Sequence, residues 1–268
     1  MKKIIIALFV LPIFLGCTTN AVTGRKQLSL IPESQLQEMA VSQYQSFLSQ
    51  SKVVNAGTSK DAEMVRRVGS RIASAITSYY TQQGKGEVVS NYKWEFNLVD
   101  NKEVNAWCMP GGKVVVYSGL LPVTQNEAAL AVVLGHEITH AVAEHGNERM
   151  SQEMLTQGIG ELVNVATSGN SKVNNIFNTV YGPGSQIGYA LPNSRNQEYE
   201  ADHFGLIFAA MAGYNPREAV VFWERMAAAS NGQKPPEIMS SHPADEKRIE
   251  KIKSYMDEAL KYYRPVKK

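Results

Sequence analysis

The stretch Gly135–Gly146, which reads GHEITHAVAEHG, concentrates side chains that can bind a metal ion. It holds three of the five histidines of the chain together with two glutamates. Residues four apart on an α-helix lie about 40° from each other, so His136 and His140 can direct their imidazoles at one ion. Glu137 can reach a water molecule there, and such a carboxylate is a general base when water attacks a carbonyl. The spacing predicts two zinc ligands and a base for hydrolysis.

The third histidine of this stretch, His145, is not expected to join them. On a continuous helix it lies about 180° around from His136 and about 140° around from His140, so it faces away from an ion they hold. We expect it to pack or to form hydrogen bonds. The metzincin pattern, with Gly and His at fixed positions after the second ligand, is absent, because Ala143 and Gly146 occupy those positions.

The remaining protein ligand is predicted in the segment NQEYEADHFG. Glu198 and Asp202 are four residues apart on a predicted helix, so they share a face. One of them can bind zinc while the other accepts the N–H of a ligand histidine and fixes its tautomer. Glu200 is expected to point elsewhere. The alternative is an acidic helix face exposed to solvent, which the neighbouring H-E-x-x-H motif makes less favoured.

The elements that must position these residues follow from the periodicity of apolar side chains. One helix is predicted from Asn126, which can cap it, to Gly146, which can end it. Residues 92–98 alternate between apolar and polar and predict a strand, and two more strand candidates flank the turn at 110–112. Residues 169–195 are rich in Gly, Asn and Ser and predict a mobile loop or lid with at most one short helix. Other helices are predicted at 33–48, 61–80, 147–168, 196–212, 216–230 and 243–262.

The N-terminus, MKKIIIALFVLPIFLGC, predicts a signal peptide. Its apolar run is too short to span a bilayer of about 30 Å. The end of the run resembles a lipobox, so residues 1–16 are expected to be removed and Cys17 to be lipidated; an ordinary signal peptide is the alternative. Thr18 follows in place of an aspartate, which by resemblance to enterobacterial lipoproteins suggests the outer membrane. Residues 17–31 are expected to be a tether, followed by one domain over 32–268.

The overall composition fits a folded domain that does not bind nucleic acid. The chain has 268 residues, of which 44% are hydrophobic and 19% are charged. It contains 27 basic and 25 acidic residues, and loss of Lys2 and Lys3 with the leader equalises the two. This charge balance therefore gives no indication of a basic patch that would bind nucleic acid. If Cys17 is lipidated, Cys108 has no partner within the chain for a disulfide.

Four motifs in order now carry a family resemblance. HEITH and EYEAD, with NAWCMPGGKVVVYSGLL before them and SHPADEKRI after them, resemble the zinc metallopeptidases of the HtpX and CAAX prenyl endopeptidase family, in particular their single-domain bacterial lipoproteins. The resemblance covers about residues 23–255. It implies an α+β, mainly helical gluzincin fold, a zincin with a small β-sheet beside the active-site helix.

The resemblance also implies roles for individual residues. His136, His140 and Glu198 bind one zinc ion per chain, Glu137 is the catalytic base, and Asp202 supports a ligand histidine without binding the metal itself. The resemblance further implies that the strand through Asn105 and Ala106 lies beside the cleft, where its edge can pair with an extended peptide substrate.

Two residues near the expected site have open roles. His242, in the pattern His-Pro-x-x-x-x-Arg with Arg248, is expected to be a catalytic oxyanion donor or a reversible fourth zinc ligand that silences the enzyme; a cap for the last helix is the alternative. Cys108 departs from the small or aliphatic residue common in the family. We expect it to be buried and inert, with an inhibitory contact to the metal as the alternative.

The predicted function is a zinc metalloendopeptidase that hydrolyses internal bonds of extended or misfolded cell-envelope proteins. It is expected to face the periplasm, anchored to the membrane through lipid on Cys17, with envelope assembly machinery as a further partner. The membrane-spanning helices of HtpX and the prenyl endopeptidases have no counterpart in the sequence, so intramembrane or prenyl-protein cleavage is not expected. The rival prediction is an envelope chaperone or assembly factor whose protease activity is latent.

Overall fold

The computed structural model describes residues 16–157, 171–182, 194–229, 237–242 and 246–265. These residues form a mainly helical α+β fold with two small sheets, which confirms the predicted class. The helices are α1 (Glu33–Ser49), α2 (Lys60–Gln82), α3 (Leu121–Thr124), α4 (Glu127–Val142), α5 (His145–Thr156), α6 (Ser171–Tyr181), α7 (Ser194–Met211), α8 (Glu218–Ala229), α9 (Glu237–Ser241) and α10 (Glu246–Tyr262). The strands are β1 (Cys17–Thr19), β2 (Lys26–Leu28), β3 (Glu95–Val99), β4 (Ala106–Met109) and β5 (Lys113–Tyr117).

The larger sheet separates two layers of helices. Its strand order is β3-β5-β4, with β3 parallel and β4 antiparallel to β5. Successive side chains of a strand point to opposite faces. Val114 and Val116 accordingly join the core formed with α2, α4, α7, α8 and α10, while Val115 and Tyr117 join the core formed with α1, α5 and α6. The central strand is therefore apolar on both faces, and β4 forms an edge of the sheet.

Helix α4 forms the centre of the larger core. Asn126 caps it by accepting the backbone N–H of Ala129 at 2.8 Å, as predicted. The run Ala129–Val142 is buried throughout. A Cβ atom on Gly135 would lie 2.6 Å from the carbonyl oxygen of Gly205, so the backbones of α4 and α7 touch at these glycines. This close approach brings the turn that carries the histidines against the turn that carries the acidic residues.

The predicted single helix from residue 126 to residue 146 is wrong at its end. Helix α4 ends at Val142, and α5 begins at His145. Between them Glu144 has a φ of 54°, in the left-handed region where few residues other than glycine occur. The chain therefore changes direction before His145, and the angles expected for a continuous helix do not apply to that residue.

The segment expected to be a tether is folded onto the domain. Strands β1 and β2 form an antiparallel hairpin. The side chains of Asn20 and Gln27, both buried, donate to the carbonyl of Ala143 at 3.0 and 3.1 Å. Ser151 accepts the N–H of Leu30 at 2.8 Å. The prediction of a free tether over 17–31 is wrong, because the hairpin satisfies a backbone acceptor exposed where α4 ends.

Several sequence predictions fall on residues outside the described ranges. The predicted signal peptide lies outside except for Gly16, and lipidation of Cys17, which is exposed, stays a prediction. Of the predicted loop over 169–195 the structure describes helix α6 and the start of α7 at Ser194. The rest of the loop lies outside the described ranges, so the expectation of at most one short helix stays a prediction. None of the helices in the described ranges is both long enough and apolar enough to cross a membrane.

Candidate active site

Four side chains from three elements converge at the centre of the molecule. His136 and His140 come from α4, Glu198 from α7, and His242 follows α9. One nitrogen or carboxylate oxygen of each lies within 4.8 Å of those of the others. The three predicted ligands and one of the two predicted catalytic residues are thus brought together, and all four are buried.

The spacing of these atoms fits a zinc ion. The Nε2 atoms of His136 and His140 are 3.1 Å apart. The two carboxylate oxygens of Glu198 lie 3.3 Å from His136 Nε2 and 3.4 Å from His140 Nε2. Ligands of a tetrahedral zinc ion, with bonds of 2.0 to 2.1 Å, are separated by about 3.3 Å. Two imidazoles and one carboxylate are also a donor set that catalytic zinc sites use.

The charge states of Glu198 and His140 suit a cation, whereas His136 must first lose a proton. Burial opposes ionisation of Glu198, but the histidines around it hold its pKa well below the usual value. Burial keeps the pKa of His140 well below its usual value, so the imidazole is neutral and has a free lone pair. Burial also lowers the pKa of His136, but hydrogen bonds with Asp202 and Glu198 outweigh it and raise that pKa to about 9. This imidazole is therefore protonated at neutral pH and must release a proton when a metal ion binds.

Asp202 holds the imidazole of His136 in one orientation. Its Oδ1 lies 2.9 Å from His136 Nδ1, so Nδ1 keeps its proton, and Nε2 is the nitrogen that faces the cluster and would give up its proton to a zinc ion. Arg248 donates to both oxygens of Asp202, at 2.7 and 2.8 Å. Burial opposes the charge on Asp202, yet Arg248 and His136 lower its pKa. The structure thus places Asp202 where the resemblance implied, and Arg248 behind it.

The imidazole of His140 is held by residues that sequence reasoning missed. Its Nδ1 lies 2.8 Å from Nδ1 of His145, whose Nε2 lies 2.9 Å from a carboxylate oxygen of Glu200. His145 does form hydrogen bonds as expected, but its expected direction away from the ligands is wrong, because the chain turns at Glu144. Glu200 was expected to point elsewhere. The available signal was a third histidine near the motif and an acidic residue with no assigned role.

Glu137 and His242 face the same small space beside the cluster. Glu137 Oε1 is buried, and no described residue forms a hydrogen bond with it. It lies 3.5 Å from His242 Nε2. His242 Nδ1 lies 3.2 Å from His136 Nε2 and 2.8 Å from Glu198. One nitrogen of His242 therefore lies among the donor atoms while the other faces the predicted base.

A cleft opens from this cluster between the sheet and α6. Asn105 and Ala106, predicted to contact substrate, lie in its wall, where Ala106 begins the edge strand β4 and Asn105 directly precedes it. Cys108 also lines it, and burial, helped by Glu137, raises its thiol pKa well above the usual value. The thiol is therefore protonated, as expected for an inert cysteine. Among the described residues, the lining consists of Asn105, Ala106, Trp107, Cys108, Met109, Glu137, His140, Ala141, Gly146, Arg149, Val180, Tyr181, Gly182 and His242.

Comparison with known proteins agrees with this site. Residues 59–256 match peptidase family M48. The chain is 36% identical over 172 residues to mitochondrial metalloendopeptidase OMA1 of Schizosaccharomyces pombe, covering 64% of this chain and 49% of that protein. It is 30% identical over 261 residues to metalloendopeptidase OMA1, mitochondrial, of Bos taurus, covering 95% and 49%. It is 28% identical over 163 residues to the beta-barrel assembly-enhancing protease of Escherichia coli, covering 58% and 33%.

These matches bear on the resemblance stated from the motifs. The chain spans about half the length of the OMA1 proteins it matches, and a third of the beta-barrel assembly-enhancing protease. The metallopeptidase part of the resemblance is confirmed, while placement among the HtpX and CAAX prenyl endopeptidases stays a prediction. The matched range contains the whole ligand cluster, from His136 to His242. The chain belongs to peptidase family M48 and carries the zinc metalloendopeptidase site of that family.

Proposed function

We propose that this protein is a zinc-dependent endopeptidase that hydrolyses internal bonds of extended or misfolded cell-envelope proteins. The observation that carries the proposal is the convergence of His136, His140 and Glu198, with the free carboxylate oxygen of Glu137 beside them. Two imidazoles, one carboxylate and an adjacent general base are what water-mediated peptide hydrolysis requires.

The chemistry divides between the metal and the residues of the chain. Zinc, when bound by His136, His140 and Glu198, lowers the pKa of water and polarises a carbonyl. Glu137 accepts a proton from the attacking water and delivers it to the leaving nitrogen. His242 Nε2, which is 3.5 Å from Glu137, can donate to the oxygen of the tetrahedral intermediate. Burial of these groups strengthens each electrostatic interaction by excluding bulk water.

An extended substrate is supported by the edge of the sheet. Strand β4 pairs with β5 on one side, and Asn105 and Ala106 lie at its start in the cleft wall. The backbone groups of an edge strand can pair with an added peptide strand. Such pairing needs several residues of exposed, unpaired backbone, which a misfolded or unfolded protein offers and a folded protein does not.

The proposal that the protein acts in the cell envelope is supported by the N-terminal sequence and by one relative. The leader and Cys17 fit a lipoprotein that faces the periplasm, most consistently at the outer membrane. The name of the beta-barrel assembly-enhancing protease supports a role beside envelope assembly machinery. The OMA1 relatives are mitochondrial by name, so they do not support this location. Because residues 16–31 pack on the domain, lipid on Cys17 would hold the catalytic domain close to the bilayer.

A second function is favoured by the position of His242. Its Nδ1 lies among the donor atoms of His136, Glu198 and His140. Four protein ligands would leave a tetrahedral zinc ion no position for water. In that state the protein binds unfolded chains without cutting them, as an envelope chaperone or assembly factor with a silenced protease.

Casein cleavage by the purified chain, with and without a chelator, tests both functions. Glu137→Gln is expected to retain zinc and lose cleavage, because the amide cannot accept the proton of water. Equal cleavage by this variant would contradict the peptidase mechanism. His242→Ala separates the alternatives: it lowers cleavage if His242 stabilises the oxyanion and raises cleavage if His242 silences the site. Binding of unfolded casein without chelator-sensitive cleavage by the wild type would favour the chaperone.

A further inference from the structure

The imidazole of His140 is connected to the N-terminal hairpin by a chain of hydrogen bonds. His140 Nδ1 lies 2.8 Å from His145 Nδ1, and His145 Nε2 lies 2.9 Å from Glu200 Oε2. The other oxygen of Glu200 accepts a hydrogen bond of 2.6 Å from Nε of Arg25. Arg25 lies between β1 and β2. Four side chains thus link the metal cluster to a segment outside the range matched to family M48, which begins at residue 59.

Donor and acceptor roles along this chain follow from the role of His140. Its Nε2 faces Glu198 and His136, so metal binding requires a lone pair there and the ring proton on Nδ1. His140 Nδ1 then donates to His145 Nδ1, which leaves the proton of His145 on Nε2. That proton is donated to Glu200, which must be an ionised acceptor. Each hydrogen bond in this chain therefore has only one possible direction from donor to acceptor. The position of the Glu200 carboxylate thus sets the tautomer and the ring plane of His140.

Arg25 is the residue that holds Glu200 in that position. Its Nη1 and Nη2 also donate to the two oxygens of Glu148, at 2.9 and 2.6 Å. The guanidinium therefore joins two carboxylates with a fork of fixed geometry, which a lysine ammonium cannot reproduce. Glu148 is only 3% exposed and Glu200 is 16% exposed, so without Arg25 both carboxylates would lose their cation in a poorly solvated place.

Arg25 is itself held through Glu148 by further hydrogen bonds. Gln197 donates to Glu148 Oε2 at 2.7 Å and accepts from Arg149 Nε at 2.9 Å. Arg149 Nη2 lies 3.2 Å from His140 Nδ1, which is a contact and not a hydrogen bond, because both nitrogens carry protons when Nδ1 donates to His145. The hydrogen bonds of Glu148 with Arg25 and Gln197 hold the guanidinium of Arg25, which limits the alternative positions that Glu200 can take.

We propose that Arg25 is a positioning residue of the metal centre: through Glu200 and His145 it orients His140 for zinc. The arrangement mirrors the one at the other ligand, where Arg248 holds Asp202 against His136. The N-terminal hairpin is then a component of the active site, and its docking on the domain governs how tightly the metal is held.

Zinc affinity of the full chain, measured by competition with a chromophoric chelator, tests this without reference to proteolysis. Arg25→Met is expected to weaken zinc binding about tenfold, the lower end of what loss of an outer-shell partner costs. Arg25→Lys should weaken it about threefold, because an ammonium cannot serve both carboxylates in the same geometry. Arg67→Met is the matched control, since Arg67 also bridges two glutamates, Glu63 and Glu127, away from the cluster. Its zinc affinity should equal that of the wild type.

A double-mutant cycle separates positioning from a general loss of stability. Glu200→Gln should weaken zinc binding at least as much as Arg25→Met, and the double variant no more than Glu200→Gln alone, because both changes break one chain of bonds. Thermal melting of the metal-free proteins reports stability separately. Wild-type zinc affinity in Arg25→Met, or fully additive losses in the double variant, would overturn the proposal. If Arg25→Met does not fold, wild-type affinity in Arg25→Lys together with unaltered affinity in Glu200→Gln would overturn it.

Discussion

The α-carbons of Gly135 and Gly205 face each other where α4 crosses α7, with no room for a side chain on either. A Cβ atom on Gly135 would lie 2.6 Å from the Gly205 carbonyl oxygen, and one on Gly205 would lie 2.7 Å from the backbone nitrogen of His136. Both obstacles are main-chain atoms, which cannot move without displacing a helix. This contact sets the distance between the ligand histidines and Glu198.

Substitution of Gly205 by alanine tests the importance of this crossing. We expect Gly205→Ala to lower the free energy of unfolding by about 1 to 3 kcal/mol, as overpacking does, and to weaken zinc binding because the two helices separate. Chemical denaturation and chelator competition measure the two effects. Gly86→Ala is the control, because a Cβ there meets its nearest atom at an ordinary 3.6 Å. Unchanged stability and zinc affinity in Gly205→Ala would contradict the close approach.

Replacement of Asp202 by asparagine should lower the affinity of the protein for zinc. The oxygen of the amide can accept a hydrogen bond from the N–H of His136 Nδ1. The amide carries no charge, however, to balance that of Arg248, which is 2% exposed. We expect zinc affinity to fall about 10- to 100-fold, measured with a competing chelator. Asp257→Asn, on the exposed face of α10, is the control and should bind zinc like the wild type. Equal affinities for the two variants would argue against the role of Asp202.

The stability of the protein should decrease between pH 5 and pH 8 through Glu33. Burial and the nearby charge of Glu144 raise the pKa of Glu33 to about 8. A carboxyl group whose pKa is higher in the folded state binds more protons there, so the free energy of unfolding falls as pH rises from the unfolded pKa to the folded one. Glu33→Gln should therefore reduce this pH dependence and stabilise the protein at pH 8.5 by about 1 to 2 kcal/mol, allowing for solvent screening.

Urea denaturation of Glu33→Gln at pH 5.5 and pH 8.5 measures this effect. Glu38→Gln, an exposed residue on the same helix, is the matched control and should keep the wild-type pH dependence. A pH dependence in Glu33→Gln as steep as in the wild type would show that Glu33 is ionised in the folded protein at neutral pH.

Cys108 should resist thiol reagents while the protein is folded. The side chain is 9% exposed, and burial raises the pKa of the thiol, so both access and thiolate content are low. Labelling with a chromogenic disulfide on the 18–268 chain, which lacks Cys17, should be slow in buffer and complete in denaturant. Rapid labelling of the folded chain, with loss of zinc, would instead support inhibitory contact between this thiol and the metal site.

Local sequence patterns were sufficient for the parts of the site that lie within one helix. The four-residue spacing places His136 beside His140, and the same spacing places Glu198 beside Asp202, since both pairs follow from the pitch of an α-helix. Alternation of apolar residues over 92–98 likewise predicted a strand, which the structure has as β3 (Glu95–Val99), because the period of a strand is a local property. The structure keeps each of these arrangements.

The contacts that support the ligands depended on the tertiary structure. The sequence by itself determined which residues could bind zinc and which could act as the base. It did not reveal that the chain turns at Glu144, which directs His145 back to His140, or that residues expected to be a tether bring Arg25 to Glu200. A left-handed φ and a docked hairpin are stabilised by partners distant in the chain, such as Asn20 and Ala143. Only the packed structure decides which of these partners meet, because such contacts have no period along the sequence.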